Sequence, residues 1–101
     1  MRRALFQNAA QTMLLDGSQA ETFVITLRTS IDNLLLKKIS PGMLYAFVLR
    51  QDQKGAHTMN WGDSARNGVP LDPRPNSITV QCFIGMKDGH LQANLPGTWN
   101  R

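Results

Sequence analysis

Apolar and polar residues alternate in short runs along this chain, and no stretch sustains the spacing of an amphipathic helix. From Ala20 to Arg28, Phe23, Ile25 and Leu27 fall on one side. Thr22, Val24, Thr26 and Arg28 fall on the other, which is the period of a half-buried strand. Ser77 to Met86 does the same, setting Ile78, Val80, Cys82 and Ile84 against Thr79, Gln81 and Phe83. Between them runs Met43 to Leu49, with Tyr45, Phe47 and Leu49 on one face and Leu44, Ala46 and Val48 on the other. Both of its faces are apolar, so it reads as a central strand, covered on its second side by its own chain or by another subunit. Gln11 to Leu15, Leu34 to Ile39 and His90 to Leu95 are further strand candidates, and Lys37-Lys38 suits an edge, where charge discourages strand addition.

Turn chemistry separates these runs at Asp16-Gly17-Ser18, Pro41-Gly42, Gln51 to Gly55 and Lys87-Asp88-Gly89. The turn at 51–55 returns the chain through Ala56 to Trp61, which predicts a β-hairpin with the strand before it. Gly62 to Asn76, with three prolines and two glycines, reads as a long surface loop suited to binding or assembly contacts. Residues 1–8 read as an N-terminal arm, disordered or lying on a neighbouring subunit, and 9–101 as a single domain. The tail Pro96 to Arg101 does not extend the last strand, and Trp99 within it needs somewhere to dock. The fold class is all-β, a two-sheet β-sandwich or jelly-roll-like barrel of about six to eight short antiparallel strands.

Composition sharpens this picture. The chain has 101 residues, 42% hydrophobic and only 18% charged, with Glu21 as its single glutamate. Helices carry Glu, Lys and Ala on their wet faces, so this balance leans towards strands. A small β-domain with few charges has difficulty covering its apolar surface, which favours an oligomer or a bound partner. The net charge is +4, but the basic residues are scattered rather than clustered with aromatics, which speaks against a nucleic-acid interface. Cys82 is the sole cysteine and, placed in an apolar alternation, reads as a buried thiol. The basic start lacks the apolar segment of a secretory signal, and no run approaches a membrane span, so folding in a reducing cytoplasm is expected.

Candidate chemistry is thin. Gly62-Asp63-Ser64-Ala65 resembles the nucleophile block of one esterase family. That chemistry also needs a late Asp-x-x-His pair, which Asp88-Gly89-His90 does not supply, so a turn is expected. His57 and His90 lack the short spacings of metal ligands; His57 reads as sitting beside Met59 and Trp61 on a strand face and His90 as flanking a turn, while Asp52 and Asp88 precede turns, where Asp is selected for its backbone bonding. The glycines are not grouped to cradle phosphate. Tyr45, Phe47, Trp61 and Phe83 alternate with other apolar residues as a core does, rather than forming an exposed stacking face. No catalytic residue, cofactor or metal is therefore expected.

One resemblance runs through the order of these features. Phe23-Val24-Ile25-Thr26-Leu27, Asn33, Pro41-Gly42 with Tyr45 to Leu49, Gln51-Asp52 with Gly55, and Thr58-Met59-Asn60-Trp61 carry its first part. Pro75-Asn76-Ser77, Val80-Gln81-Cys82-Phe83 and Asp88-Gly89 complete it. The pattern resembles a β-structured module of bacteriophage virion proteins: tail-fibre and baseplate modules and small capsid-surface proteins. Met59 departs from it, standing where a small β-branched residue is more usual. The resemblance implies a trimerising β-sandwich whose work is assembly or attachment.

In tail fibres the pattern sits within a much longer polypeptide, so the expectation is a stand-alone virion component, folded in the host cytoplasm before assembly. It would be a capsid cement or decoration protein, a homotrimer on the major capsid protein. Contacts are expected from the arm (Arg2, Arg3, Leu5, Phe6), the long loop (Arg66, Asn67, Arg74) and the tail (Trp99, Arg101). The alternatives are a tail-fibre or baseplate module binding a host surface glycan, and a nucleic-acid-binding β-barrel.

Overall fold

The strand at Leu44–Gln51 organises the molecule, because strands lie on both of its edges and the core lies under its aromatic face. A computed structural model describes residues 3–8, 11–93 and 98–100, with 6–8 and 98–100 described by their backbone. The strands are β1 (Arg3–Asn8), β2 (Thr12–Asp16), β3 (Thr22–Leu27), β4 (Asn33–Lys37), β5 (Leu44–Gln51), β6 (Ala65–Arg66), β7 (Ile78–Gly85), β8 (Leu91–Ala93) and β9 (Thr98–Asn100). There is no helix among the described residues, so the molecule is all-β.

The strands form a large sheet in the order β1-β3-β5-β7-β8-β6, with β9 also on β7, and a small sheet of β2 and β4. Pairing departs from the expected antiparallel hairpins. β1, β3 and β5 are mutually parallel neighbours, and β2 runs parallel to β4. The chain therefore winds: β1 then β2, β3 then β4 directly beside them, and β5 beside β3. Met59 then bridges in parallel to Ile31, just ahead of β4. The turns stack as the strands do, the Gly17 amide donating to the Lys37 carbonyl at 2.9 Å. β7 ends the winding by pairing antiparallel to β5, and β8 and β9 take the far edge of β7. The arrangement is solenoid-like rather than a sandwich of hairpins.

Two expectations are thereby corrected. Residues 56–61 do not pair with β5. Their amides and carbonyls bond Ile31, through Ile31 N to Thr58 O and Asn60 N to Ile31 O. The turn itself forms as its residues indicate, since Gly55 adopts φ +67° and Asp52 Oδ1 accepts the Lys54 and Gly55 amides. Beyond the turn, the chain crosses to the small-sheet side instead of doubling back along β5. The segment read as an arm is largely β1, aligned with β3 over all six of its residues. The tail does not prolong β8, as expected, but supplies a separate strand, β9, at Thr98–Asn100, opposite Ile78 to Val80.

The core lies between the sheets. Phe23, Ile25, Leu27, Tyr45, Phe47 and Leu49 point from the large sheet towards Met13, Leu15 and Leu34 of the small one. Phe47 sits 5.3 Å from Trp61 and 5.5 Å from Phe83, both edge-on, the arrangement ring quadrupoles favour. The aromatics are thus core residues, as their alternation indicated.

Candidate assembly surface

β7 is the element whose orientation carries information. Its inward face is Thr79, Gln81, Phe83 and Gly85, and its outward face is Ile78, Val80, Cys82 and Ile84. A strand of a free-standing domain places its polar side chains outside. Here the inward polar groups are used to anchor the loop after Trp61. Thr79 Oγ1 accepts the Asp72 amide at 3.0 Å, and Gln81 Oε1 accepts the Val69 amide at 3.1 Å. Gln51 Nε2 and Ser77 Oγ both donate to the Asp72 carbonyl, at 3.1 and 2.9 Å. Trp61 Nε1 donates to the Val69 carbonyl at 2.8 Å. The loop is pinned across the inner side of β7, and no buried side-chain polar atom among the described residues lacks a partner.

The consequence is an apolar outer face on the large sheet. Leu5, Val24, Val48 and Val80 align across four strands, through the registers Leu5 to Val24, Val24 to Val48 and Val48 to Val80. On one side of this row stand Thr22, Ala46 and Cys82, and beyond them Leu44 opposite Ile84; on its other side run Thr26, the exposed Arg50 and Ile78, where the face turns polar. Leu5 is 73% exposed and Leu44 50%. Cys82 is accordingly not the buried thiol expected of it but a half-buried one in the middle of this face. On the small sheet, exposed Leu14 and Leu35 pair across β2 and β4, a much smaller patch flanked by Asp16 and Lys37.

The expected contact residues fall in different places. Leu5 belongs to the apolar face, and Arg3 lies exposed at its margin on β1. Arg2, Arg101 and the side chains of Phe6 and Trp99 lie outside the described residues. Arg66 is bound into a cluster on β6, its Nη2 donating to Asp88 Oδ2 at 2.6 Å and to His90 Nδ1 at 2.7 Å. Asn67 is exposed beside it, in a left-handed turn at φ +62°. Arg74 is clamped on the buried Asp72, through Nε at 2.9 Å and through a short Nη2 contact. The loop arginines thus sit in two separate ion pairs, and neither belongs to the outer face of the large sheet. Missing from the expected contacts were Val24, Val48, Val80 and Ile84, although two apolar faces on one strand had signalled them.

The polar constellations read as turn fasteners. Arg66, then the His90 amide, hold the Asp88 carboxyl below its ordinary value of 3.8. Partial burial works against ionisation of Asp52, but the Gly55 amide, the His57 ring 3.0 Å away and the Lys54 amide outweigh it, and its pKa is also lowered. The Ser18 hydroxyl and amide do the same for Asp16. Asp72 raises the pKa of Arg74. No group of three His, Cys, Asp or Glu side chains suited to a metal ion occurs among the described residues. In comparisons with family models, curated proteins and solved structures, nothing matches this chain.

Proposed function

We propose that this chain is a non-enzymatic structural protein of a bacteriophage virion, a capsid cement or decoration protein that works as a homotrimer. The observation that carries the assembly reading is the inverted strand β7, which spends its polar side chains on the interior and leaves an apolar sheet face outside. The virion assignment rests on the resemblance of Phe23 to Leu27, Tyr45 to Leu49 and Gln51-Asp52 with Gly55 to phage modules. The pinned loop lies on the opposite side of the large sheet from the apolar face. Self-association through that face therefore leaves exposed Asn67 on the loop side open to the major capsid protein. Arg66 and Arg74 are each engaged by an aspartate, which removes two of the cations a nucleic-acid surface would need.

A second reading is favoured by the winding itself. Parallel strands stacked turn upon turn extend naturally along one axis, which suits a tail-fibre or baseplate module that binds a host surface glycan. Two measurements decide. Purified protein sedimented with shells of the major capsid protein is expected to pellet saturably, and virion proteomics to find it in the head. Location at the tail tip together with binding on a glycan array would replace the cement reading by the fibre one. Absence from particles and from shells would end both.

A further inference from the structure

At the end of the large sheet where β5 begins and β7 stops, two turns hold apolar side chains out into solvent. Six large hydrophobic side chains are exposed among the described residues, and three of them stand here: Met43 and Leu44 at the start of β5, and Met86 just after β7. Leu44 faces the half-buried Ile84 across the last row of the pairing, and Met86 follows Ile84 by two residues, on the same side of its strand. The turn that carries Met43 is fastened from behind. The Ser40 amide donates to the Tyr45 hydroxyl at 2.9 Å, the Gly42 amide to the Gly85 carbonyl at 2.8 Å, and the Gly85 amide to the Met43 carbonyl at 2.8 Å. The Ser40 carbonyl oxygen packs directly against Gly85, so Met43 and Leu44 have no space to fold back into.

The charges left free around this patch are of one sign. The aspartates of the neighbouring turns are already engaged. Asp16 accepts the Ser18 amide and hydroxyl and lies 3.8 Å from Lys37, while Asp88 accepts Arg66 and the His90 amide. Lys38 and Lys87 sit on the same two turns as the apolar side chains, are exposed, and enter no ion pair among the described residues. An apolar, methionine-bearing centre with a charged margin has the anatomy of a protein contact, where adaptable Met side chains are enriched. A second copy of the patch would set lysine against lysine, so the partner that fits carries carboxylates. Two free lysines are also fewer than the clusters of about four to eight that hold a protein on anionic lipid.

We infer that this tip docks the chain on an acidic patch of the major capsid protein that has an apolar centre. The inference rests on the cement reading proposed above and names its contact. Met43 and Met86 flank the Leu44–Ile84 row at the very end of the sheet, so self-association through the middle of the outer face leaves them open. A cyclic homotrimer repeats the tip three times at one height about its axis, and three modest contacts then add by avidity.

The full chain is titrated onto shells of the major capsid protein and pelleted at low and high salt, with light scattering and circular dichroism run on every variant. The parent protein is expected to bind saturably and to weaken as salt rises. Lys38→Glu combined with Lys87→Glu, and separately Met43→Ser combined with Met86→Ser, are expected to raise the half-saturating concentration at least about tenfold at unchanged mass and spectrum. The lysine pair is also expected to lose the salt dependence of the parent. Lys54→Glu, the same reversal of charge in the turn at the other end of β5, is expected to bind as the parent does. Parent-like binding by both tip pairs places the contact elsewhere and overturns this inference while the cement reading stands. A parent protein that ignores shells but pellets with phosphatidylserine vesicles, and does so less with either tip pair, assigns the tip to lipid and overturns the acidic protein partner. A parent protein that binds neither overturns the inference, and the chain's presence or absence on virions tells separately whether the virion reading falls with it.

Discussion

Gly55 and Gly42 show how much a single position can depend on its surroundings. Both have φ in the left-handed region, +67° and +80°. A Cβ at Gly42 would meet open space, whereas one at Gly55 would stand 2.7 Å from the Pro73 carbonyl oxygen and 2.8 Å from the Pro75 nitrogen. Those are backbone atoms of the pinned loop, and the Gln51 and Ser77 bonds to the Asp72 carbonyl keep them from giving way. Gly42→Ala is therefore expected to cost about 1 kcal/mol, the strain of the backbone alone. Gly55→Ala should add a steric conflict and cost about 3 kcal/mol or more. Urea unfolding of the two variants side by side checks the difference, and equal midpoints would mean that the loop does not hold its place against Gly55. Sequence made the turn at Gly55 visible through Asp52 and Gly55 themselves. The crowding was not visible, because Pro73 and Pro75 reach Gly55 only through the tertiary path of the loop.

Three strands lead into turns organised by an aspartate, and these turns share one response to acid. After β2, Asp16 Oδ1 accepts the Ser18 amide at 2.8 Å. After β5, Asp52 Oδ1 accepts the Lys54 amide at 3.0 Å, and after β7, Asp88 Oδ1 accepts the His90 amide at 3.0 Å. Each carboxyl is held below its ordinary 3.8 in the folded chain. A depressed folded pKa gives stability that is complete above the unfolded value and is lost as pH falls through the folded one. The melting temperature is therefore expected to hold from neutrality down to roughly pH 4–5 as far as these groups are concerned, and to fall steadily below pH 3.8. Asp52→Asn keeps an acceptor for the amides but carries no charge. It should lie below the parent protein at neutral pH and converge on it in acid, and a constant gap across that range would detach the Asp52 charge from the effect. At this scale the strands at 22–27, 44–51 and 78–85 were legible from alternation. Their partners were not, because a period of two records which face is buried and says nothing of strand direction. The apolar character of both faces of β5 was the one clue to parallel pairing. The Gln51 to Gly55 turn masked it by offering the chemistry of a hairpin.

At the scale of the whole molecule, the first strand decides what kind of object this is. A free arm could be removed with little consequence for the domain. β1 instead pairs with β3 over six residues, places Ala4 against the core and carries the Leu5 end of the outer apolar row. Removing residues 1–8 would strip one edge of β3, expose its backbone amides and carbonyls, and open the core beside Phe23 and Ile25. A parallel winding is sensitive to such a loss, since each layer is stabilised mainly by the next and an uncovered strand is a template for another chain. The truncated protein is expected to unfold at lower urea concentration than the parent and to scatter light on standing. A truncated chain that kept the parent's unfolding midpoint and lost only its affinity for particles would restore the arm that residues 1–8 suggested. The edge strand and the apolar face meet at Leu5, 73% exposed at the junction of the two. The same strand therefore completes the fold of one copy and extends the apolar face through which the proposed assembly would form.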